Sequence, residues 1–299
     1  MFVLAHISDI HLNYPPYLYE LSLKRIIGLA NWHFNRKKYL SHEVVKLLIN
    51  DISSHNADHI AITGDLVNMT SKREVYAAKN WLKSIGNPND ISIVFGNHDA
   101  YVSGSKEKSL RAWKKYIAGD TTCTRGKIFP YMRVRNNVAL IGCSTVVNTP
   151  PFISNGYFGQ KQADDTSQLL CKAKQDGLFR IIMMHHPPVL DESSIYNRMF
   201  GIKRFQDVIA KEGVELILHG HTHLNSLHWM TSQETVAPVV GVASASQKKA
   251  TRKPMASYNL FYIAKNYNNW TLRGERYTLS PDATHIKKEC SNIFHNNHG

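Results

Sequence analysis

"LILHGHTHL" (residues 216–224) carries an apolar strand straight into three histidines, with only Gly220 and Thr222 between them. The run 214–218, V-E-L-I-L, is short and rich in leucine and β-branched residues, the pattern of a buried sheet strand. Imidazole is costly to bury unpaired, so a strand that ends in His219, His221 and His223 is carrying them to something they bind.

The same event occurs four more times upstream. "FVLAHIS" runs into Asp9 and His11, "HIAIT" into Gly64-Asp65, "ISIVF" into Gly96-Asn97-His98-Asp99, and "FRIIMM" into His185-His186-Pro187-Pro188. Amphipathic segments lie between them. The clearest, "SKREVYAAKNWLKSIG", opens on the capping box Ser71 and Glu74 and sets Val75, Ala78, Leu82 and Ile85 at helical spacing. Strand, ligand loop and helix in alternation predict an α/β fold. Sites in such sheets form at the carboxyl ends of the strands, where loops spread over residues 9–223 can meet.

Singly, each fragment has an ordinary explanation. Gly64-Asp65 is a turn, Asn97-His98 a loop cap, and the double proline a rigid exit from a strand. With 16 histidines in 299 residues, several serve no ligand role. Five such loops in α/β register, each bearing Asp, Asn or His, exceed what ordinary turns explain. Carboxylate, amide oxygen and imidazole suit Mn²⁺, Fe²⁺/Fe³⁺ or Zn²⁺ rather than a thiolate-selected metal. The set is too large for one ion and suits two, about 3.5–4 Å apart, sharing a carboxylate. Such a pair acidifies a bridging water and clamps an in-line displacement at phosphorus, which predicts phosphoester hydrolysis without a covalent enzyme intermediate.

Composition agrees. The chain is 43% hydrophobic, enough for a large core, and no apolar run approaches the ~20 residues of a membrane span. Its start lacks the basic region of a signal peptide. Cys123, Cys143, Cys171 and Cys290 are scattered without C-x-x-C spacing, which argues against a disulfide framework and predicts a reducing, cytoplasmic setting. The excess of 36 Lys+Arg over 23 Asp+Glu gives +13, which points to an anionic partner.

In order, D-I-H, G-D, G-N-H-D, M-H-H-P-P and G-H-T-H resemble the signature of calcineurin-like metallophosphoesterases over about the first three quarters of the chain. "HISDIHL" and "HHPP" are most similar to the bacterial class III cyclic nucleotide phosphodiesterase branch. The resemblance implies a four-layer α/β/β/α sandwich of two mixed β-sheets. It implies that Asp9, His11 and His223 hold one ion, that Asn97, His185 and His221 hold the other, and that Asp65 bridges them. His186 is the alternative to His185. His98 would face the phosphate as general acid or charge stabiliser, with Asp99 orienting it, and His219 would be structural. Residues 1–279 then form one domain, completed by second-sheet strands at 237–246, 257–265 and 270–279, and 280–299 form a loose tail.

Residues 13–40 depart from the family pattern. They read as an inserted helical segment with Leu18, Leu21, Leu29 and Trp32 on one stripe, Ile26, Ile27 and Phe34 off it so that the amphipathic pattern is not clean, and five cations, Lys24, Arg25, Arg36, Lys37 and Lys38. Such an insertion is a lid over the site, or its residues 18–40 meet an anionic membrane surface. The implied function is a dinuclear-metal phosphodiesterase working through a metal-bridging hydroxide on a small phosphodiester or nucleotide, with a cyclic nucleotide as one candidate. One alternative is a pyrophosphohydrolase of the UDP-diacylglucosamine type at the inner membrane surface. The other is a DNA nuclease of the double-strand-break repair type, which shares G-N-H-D and G-H-x-H and suits the charge; no coiled-coil anchor or DNA-capping domain accompanies it. Nothing in the sequence sets an oligomeric state.

Overall fold

The computed structural model describes residues 1–122, 128–190, 194–233, 236–267 and 269–295. Cys123 and His298 lie outside them. Fifteen strands are present among these residues: β1 (Phe2–Ile7), β2 (His59–Ile62), β3 (Ile91–Ile93), β4 (Thr121–Thr122), β5 (Tyr131–Arg135), β6 (Val138–Gly142), β7 (Gly156–Tyr157), β8 (Phe179–Met183), β9 (Met199–Phe200), β10 (Leu216–His219), β11 (Leu227–Thr231), β12 (Val236–Gly241), β13 (Ser257–Asn266), β14 (Asn269–Leu279) and β15 (Ile286–His295). The α-helices are α1 (Leu23–Asn31), α2 (His42–Ser54), α3 (Lys72–Ile85), α4 (Ser105–Trp113), α5 (Gln160–Gln175) and α6 (Ile202–Glu212).

One large sheet runs β15-β14-β13-β1-β2-β3 and the other β11-β12-β10-β8-β6-β5-β4, while β7 and β9 pair in a small separate sheet. Both are mixed: β1, β2 and β3 are parallel, as are β6, β8, β10 and β12, while the outer strands pair antiparallel. The two-residue period of a strand assigns the layers. In β1, Val3, Ala5 and Ile7 pack with Val45, Leu48, Val75 and Leu82 of α2 and α3. Phe2 and Leu4 point the other way, into an apolar layer shared with Leu140, Ile181 and Leu218 of the second sheet. That sheet covers its far side with Leu169, Leu170, Phe205 and Ile209 of α5 and α6. The result is the expected four-layer α/β/β/α sandwich. Its α3 begins at the capping box read from sequence: Glu74 N–H donates to Ser71 Oγ at 3.2 Å, and Ser71 N–H to Glu74 Oε2 at 2.9 Å.

Three expectations are corrected. The late strands do not all complete the second sheet. Only β12 joins it, whereas β13 pairs antiparallel with β1 (Phe2↔Ile263) and β14 extends the first sheet. The chain changes sheets through 242–256, and strand composition does not encode long-range pairing. Nor is the described part of the tail, 280–295, loose. β15 pairs with β14 from Thr271↔His295 to Leu279↔Ile286 and buries Phe294. Its residues are mostly polar, so only the pairing reveals the strand. Finally, Leu18, Leu21, Leu29 and Trp32 share no stripe, because a 3₁₀ turn (Leu18–Glu20) is separate from α1, and α1 passes into a π-helical turn (Trp32–Arg36).

The insertion packs through its polar side. Arg25 is buried and donates to the carbonyls of Glu20 (2.8 Å), Met69 (3.1 Å) and Thr70 (2.7 Å). Lys24 Nζ donates to Thr149 O at 2.7 Å. Three apolar side chains turn outward: Leu23 is 73% exposed, Ile26 50% and Phe34 73%. No helix among the described residues is long and apolar enough to cross a membrane.

Candidate metal centre

The ligand loops follow β1, β2 and β3 in one sheet and β8 and β10 in the other, so the two parallel cores present their carboxyl ends side by side. Cross-sheet bonds fix them: Ala245 N–H donates to Ser8 O (2.9 Å), Ser244 Oγ to Asp9 O (2.7 Å), and His221 N–H to Asp9 Oδ2 (3.0 Å). The approach is too close for side chains at Gly64, Gly96 and Gly220. An added Cβ would lie 2.1 Å from Asp65 Oδ1 at Gly96 and 1.9 Å from Ser8 Oγ at Gly220. Asp9, His11, Asp65, His221 and His223 themselves adopt left-handed backbone, with φ of 55°, 51°, 54°, 69° and 54°. That conformation is costly for non-glycine residues and marks sites where function outweighs local preference.

Two donor sets result. In the first, Asp9, His11 and His223 converge: Asp9 Oδ1 is 3.1 Å from His223 Nε2, which is 3.2 Å from His11 Nε2. In the second, Asn97 Oδ1 lies 3.2 Å from His185 Nε2 and 3.1 Å from His221 Nδ1, and those nitrogens are 3.3 Å apart. Asp65 Oδ2 stands between the sets, 4.0 Å from His11 Nε2 and 3.5 Å from His185 Nε2. Asp9 also reaches both, grouping with His11 and His223 on one side and with Asp65 and His185 on the other. All seven residues expected to bind metal are therefore brought together.

The donor chemistry fits cations. His185 Nδ1 donates to Thr63 O (2.7 Å) and His221 Nε2 to Asn197 O (2.9 Å), which leaves His185 Nε2 and His221 Nδ1 as bare lone pairs facing one another and an amide oxygen. Buried Asp9 Oδ1 makes no aligned hydrogen bond, although His223 is in contact. Acceptors meeting without a proton between them are stabilised by a positive ion. Burial pushes His11, His185 and His221 below the usual imidazole range, which keeps them neutral, as ligands must be. Burial and the nearby Asp9 carboxylate push Asp65 up, a repulsion that a cation between the two would relieve.

The remaining expected residues divide. His98 borders the cleft above the donors: its Nδ1 donates to Asn68 O (2.5 Å), its ring stacks on Tyr101, and its Nε2 faces Arg36 Nη1 at 3.2 Å. Asp99 does not orient it. Its buried carboxylate accepts from the N–H groups of Leu66, Val67 and Gly96, so it braces the loops, and Asn68 O holds the imidazole instead. His186 has both ring nitrogens engaged, with Thr145 Oγ1 (2.7 Å) and Ser154 O (2.9 Å), which leaves His185 as the donor. His219 is buried beside Ser226, outside both sets. Sequence reasoning missed Arg36, Asn68 and Lys253. Asn68 and Lys253 belong to no motif, and Arg36 was grouped with the surface cations Lys37 and Lys38.

The model of the calcineurin-like phosphoesterase family matches residues 2–225. The chain belongs to that family. It is a phosphoric-ester hydrolase by membership, with candidate ligands for the family's two metal ions in place. No curated protein matches the sequence. Among solved structures, a dimetal phosphatase from Danio rerio is similar at 11% identity over 99% of each chain, with a TM-score of 0.59. A purple acid phosphatase from yellow lupin (Lupinus luteus) is similar at 12% identity, with a TM-score of 0.60; the match covers 98% of this phosphoesterase and 53% of the lupin chain. At these identities the likeness is one of fold.

Proposed function

We propose that this phosphoesterase hydrolyses a phosphodiester. The observation that carries the reading is the cleft above the donors, about 850 Å³ in volume. That is the scale of an organic ligand, for which about 300–1,000 Å³ is usual, and far more than a phosphate needs. Beyond the donors it continues past Ile27, Phe34 and Tyr39 of the insertion and past Val147, Phe152 and Ile153 of the loop that follows β6. This favours a substrate with an organic group on more than one phosphate oxygen, and a cyclic nucleotide is one candidate.

In this reading Asp9, His11 and His223 hold one ion, Asn97, His185 and His221 hold the other, and Asp65 is shared. When bound, such a pair supplies Lewis acidity and a nucleophile near neutral pH. His98 presents Nε2 to the leaving side, and Asp99 keeps the Asp65 and Asn97 loops in register through their backbone N–H groups.

A second reading, a pyrophosphohydrolase acting on a UDP-linked lipid at a membrane surface, is favoured by the rim. Leu23, Ile26 and Phe34 present an exposed apolar edge. Lys37 and Lys38 adjoin the basic loop of Lys248, Lys249 and Arg252, which is tied to the insertion where Lys248 N–H donates to Tyr39 O (2.7 Å). Apolar side chains beside cations are the composition of an interfacial contact.

The test is one panel with added Mn²⁺: a cyclic nucleotide, a UDP-linked lipid, single-stranded DNA, bis-p-nitrophenyl phosphate and p-nitrophenyl phosphate. Turnover of the diesters above the monoester is the expected result. Hydrolysis of the monoester alone would overturn the proposal, turnover confined to the UDP-linked lipid would replace it with the second reading, and turnover confined to DNA would narrow the diester to a nucleic acid.

A further inference from the structure

Arg36 ends the π-helical turn, closed by Lys37 N–H donating to Trp32 O at 2.9 Å. π turns interrupt the regular helical register and recur at functional sites. Here the turn leaves Lys37 and Lys38 in solvent and sends Arg36 into the cleft, in the company of Asp65, Asn97, His98 and His223. Its hydrogen-bond partners are weak for a guanidinium: His98 Nε2 at 3.2 Å, a neutral acceptor, and Asn68 Oδ1 at 3.5 Å. Among the described residues no carboxylate lies within ion-pair distance of it. Asp65 and Asp9 favour its charge from farther off, but neither pairs with it directly; a guanidinium partly withdrawn from water without such a pair is costly, and an anion in the cleft would supply one. Lys24 and Lys253 line the same cleft, but their ammonium groups already donate to Thr149 O and Thr222 O.

We propose that Arg36 grips the substrate's phosphoryl group, with a non-bridging phosphate oxygen replacing His98 Nε2 as the acceptor for Nη1. The planar fork of five donors suits phosphate, and the acceptor it gives up is uncharged. The insertion then holds substrate directly, and releasing His98 Nε2 is part of binding. This inference rests on the phosphoester reading of the site.

Calorimetric binding of inorganic phosphate to the Mn²⁺-loaded full chain tests it without turnover. Arg36→Ala should weaken binding roughly 10- to 100-fold, the usual effect of losing hydrogen bonds to a charged group. Arg36→Lys should recover part of the loss, Lys37→Ala and Lys38→Ala should leave phosphate affinity unchanged, and metal content should stay at the wild-type value throughout. Arg36→Gln, closer in length and polarity, replaces Arg36→Ala should the latter fail to fold. Wild-type phosphate affinity in a folded, metal-loaded Arg36 variant overturns the proposal, as does a wild type that binds no phosphate. A wild type that binds phosphate through Arg36 yet hydrolyses no phosphoester supports this inference and sinks the functional reading instead.

Discussion

His98 shows how far a single residue could be read in advance. Its motif placed it at the phosphate side of the donors, but the atoms around it come from elsewhere in the chain. Asn68 O fixes Nδ1–H, and Arg36 occupies Nε2. Burial, and then the Arg36 charge, push the ring well below the usual imidazole range, and Nε2 is open to a leaving oxygen only once Arg36 Nη1 turns to another acceptor. His98→Ala should lower kcat by about 10²–10⁴, the range for general acid–base catalysis. The loss should be smaller for p-nitrophenyl esters, whose leaving group needs little protonation. An equal loss on poor and good leaving groups would leave His98 only the work of seating Arg36. The donors themselves were legible, because each needs a particular residue type at a strand end. Arg36 was not, since its charge is shared with Lys37 and Lys38, and only the backbone decides which of the three turns inward.

At the scale of elements, the insertion is an amphipathic helix turned inside out. Arg25 satisfies three carbonyls inside, while Leu23, Ile26 and Phe34 stay in water. Hydropathy alone favours the opposite face, which is why no clean stripe was visible in 13–40. The apolar edge and its neighbouring cations should bind vesicles containing anionic lipid, each cation near the surface adding about 1 kcal/mol. Co-sedimentation should fall in high salt, where the Debye length is ~3 Å at 1 M, and in a Leu23→Glu, Ile26→Glu variant, whose two positions lie outside the cleft. Hydrolysis of a small soluble diester should be kept in that variant. A wild type that ignores anionic vesicles at low salt would remove the membrane from consideration and leave the insertion as a lid. β15 escaped notice for a different reason: its alternation is mostly polar, and β14 supplies the partner that makes it a strand.

Over the whole molecule, the sandwich was legible because buried parallel strands carry continuous apolar runs and end in ligands. The sheet to which each late strand belongs was not, since the crossover at 242–256 is a property of tertiary packing. The two sheets meet through an apolar layer that includes Leu4, Leu140, Phe179 and Phe261. They also share one donor cluster, with Asp9, Asp65 and Asn97 from one side and His185, His221 and His223 from the other. The cluster is therefore a gauge of sheet separation. Slackening of the layer would part carboxylates from imidazoles before either sheet lost its hydrogen bonds. A bound ion, present only in the closed sandwich, resists that parting by mass action, about 2.7 kcal/mol at a hundredfold excess over its Kd. Heated with a chelator, the protein should lose the capacity to rebind two ions several degrees below its calorimetric transition. With excess Mn²⁺ the two events should coincide at a higher temperature, and a transition indifferent to metal would show that the sheets are held without it. Seen this way the donor cluster is the clasp of the fold, and any loss of packing in the layer between the sheets would be felt first as a loosened clasp.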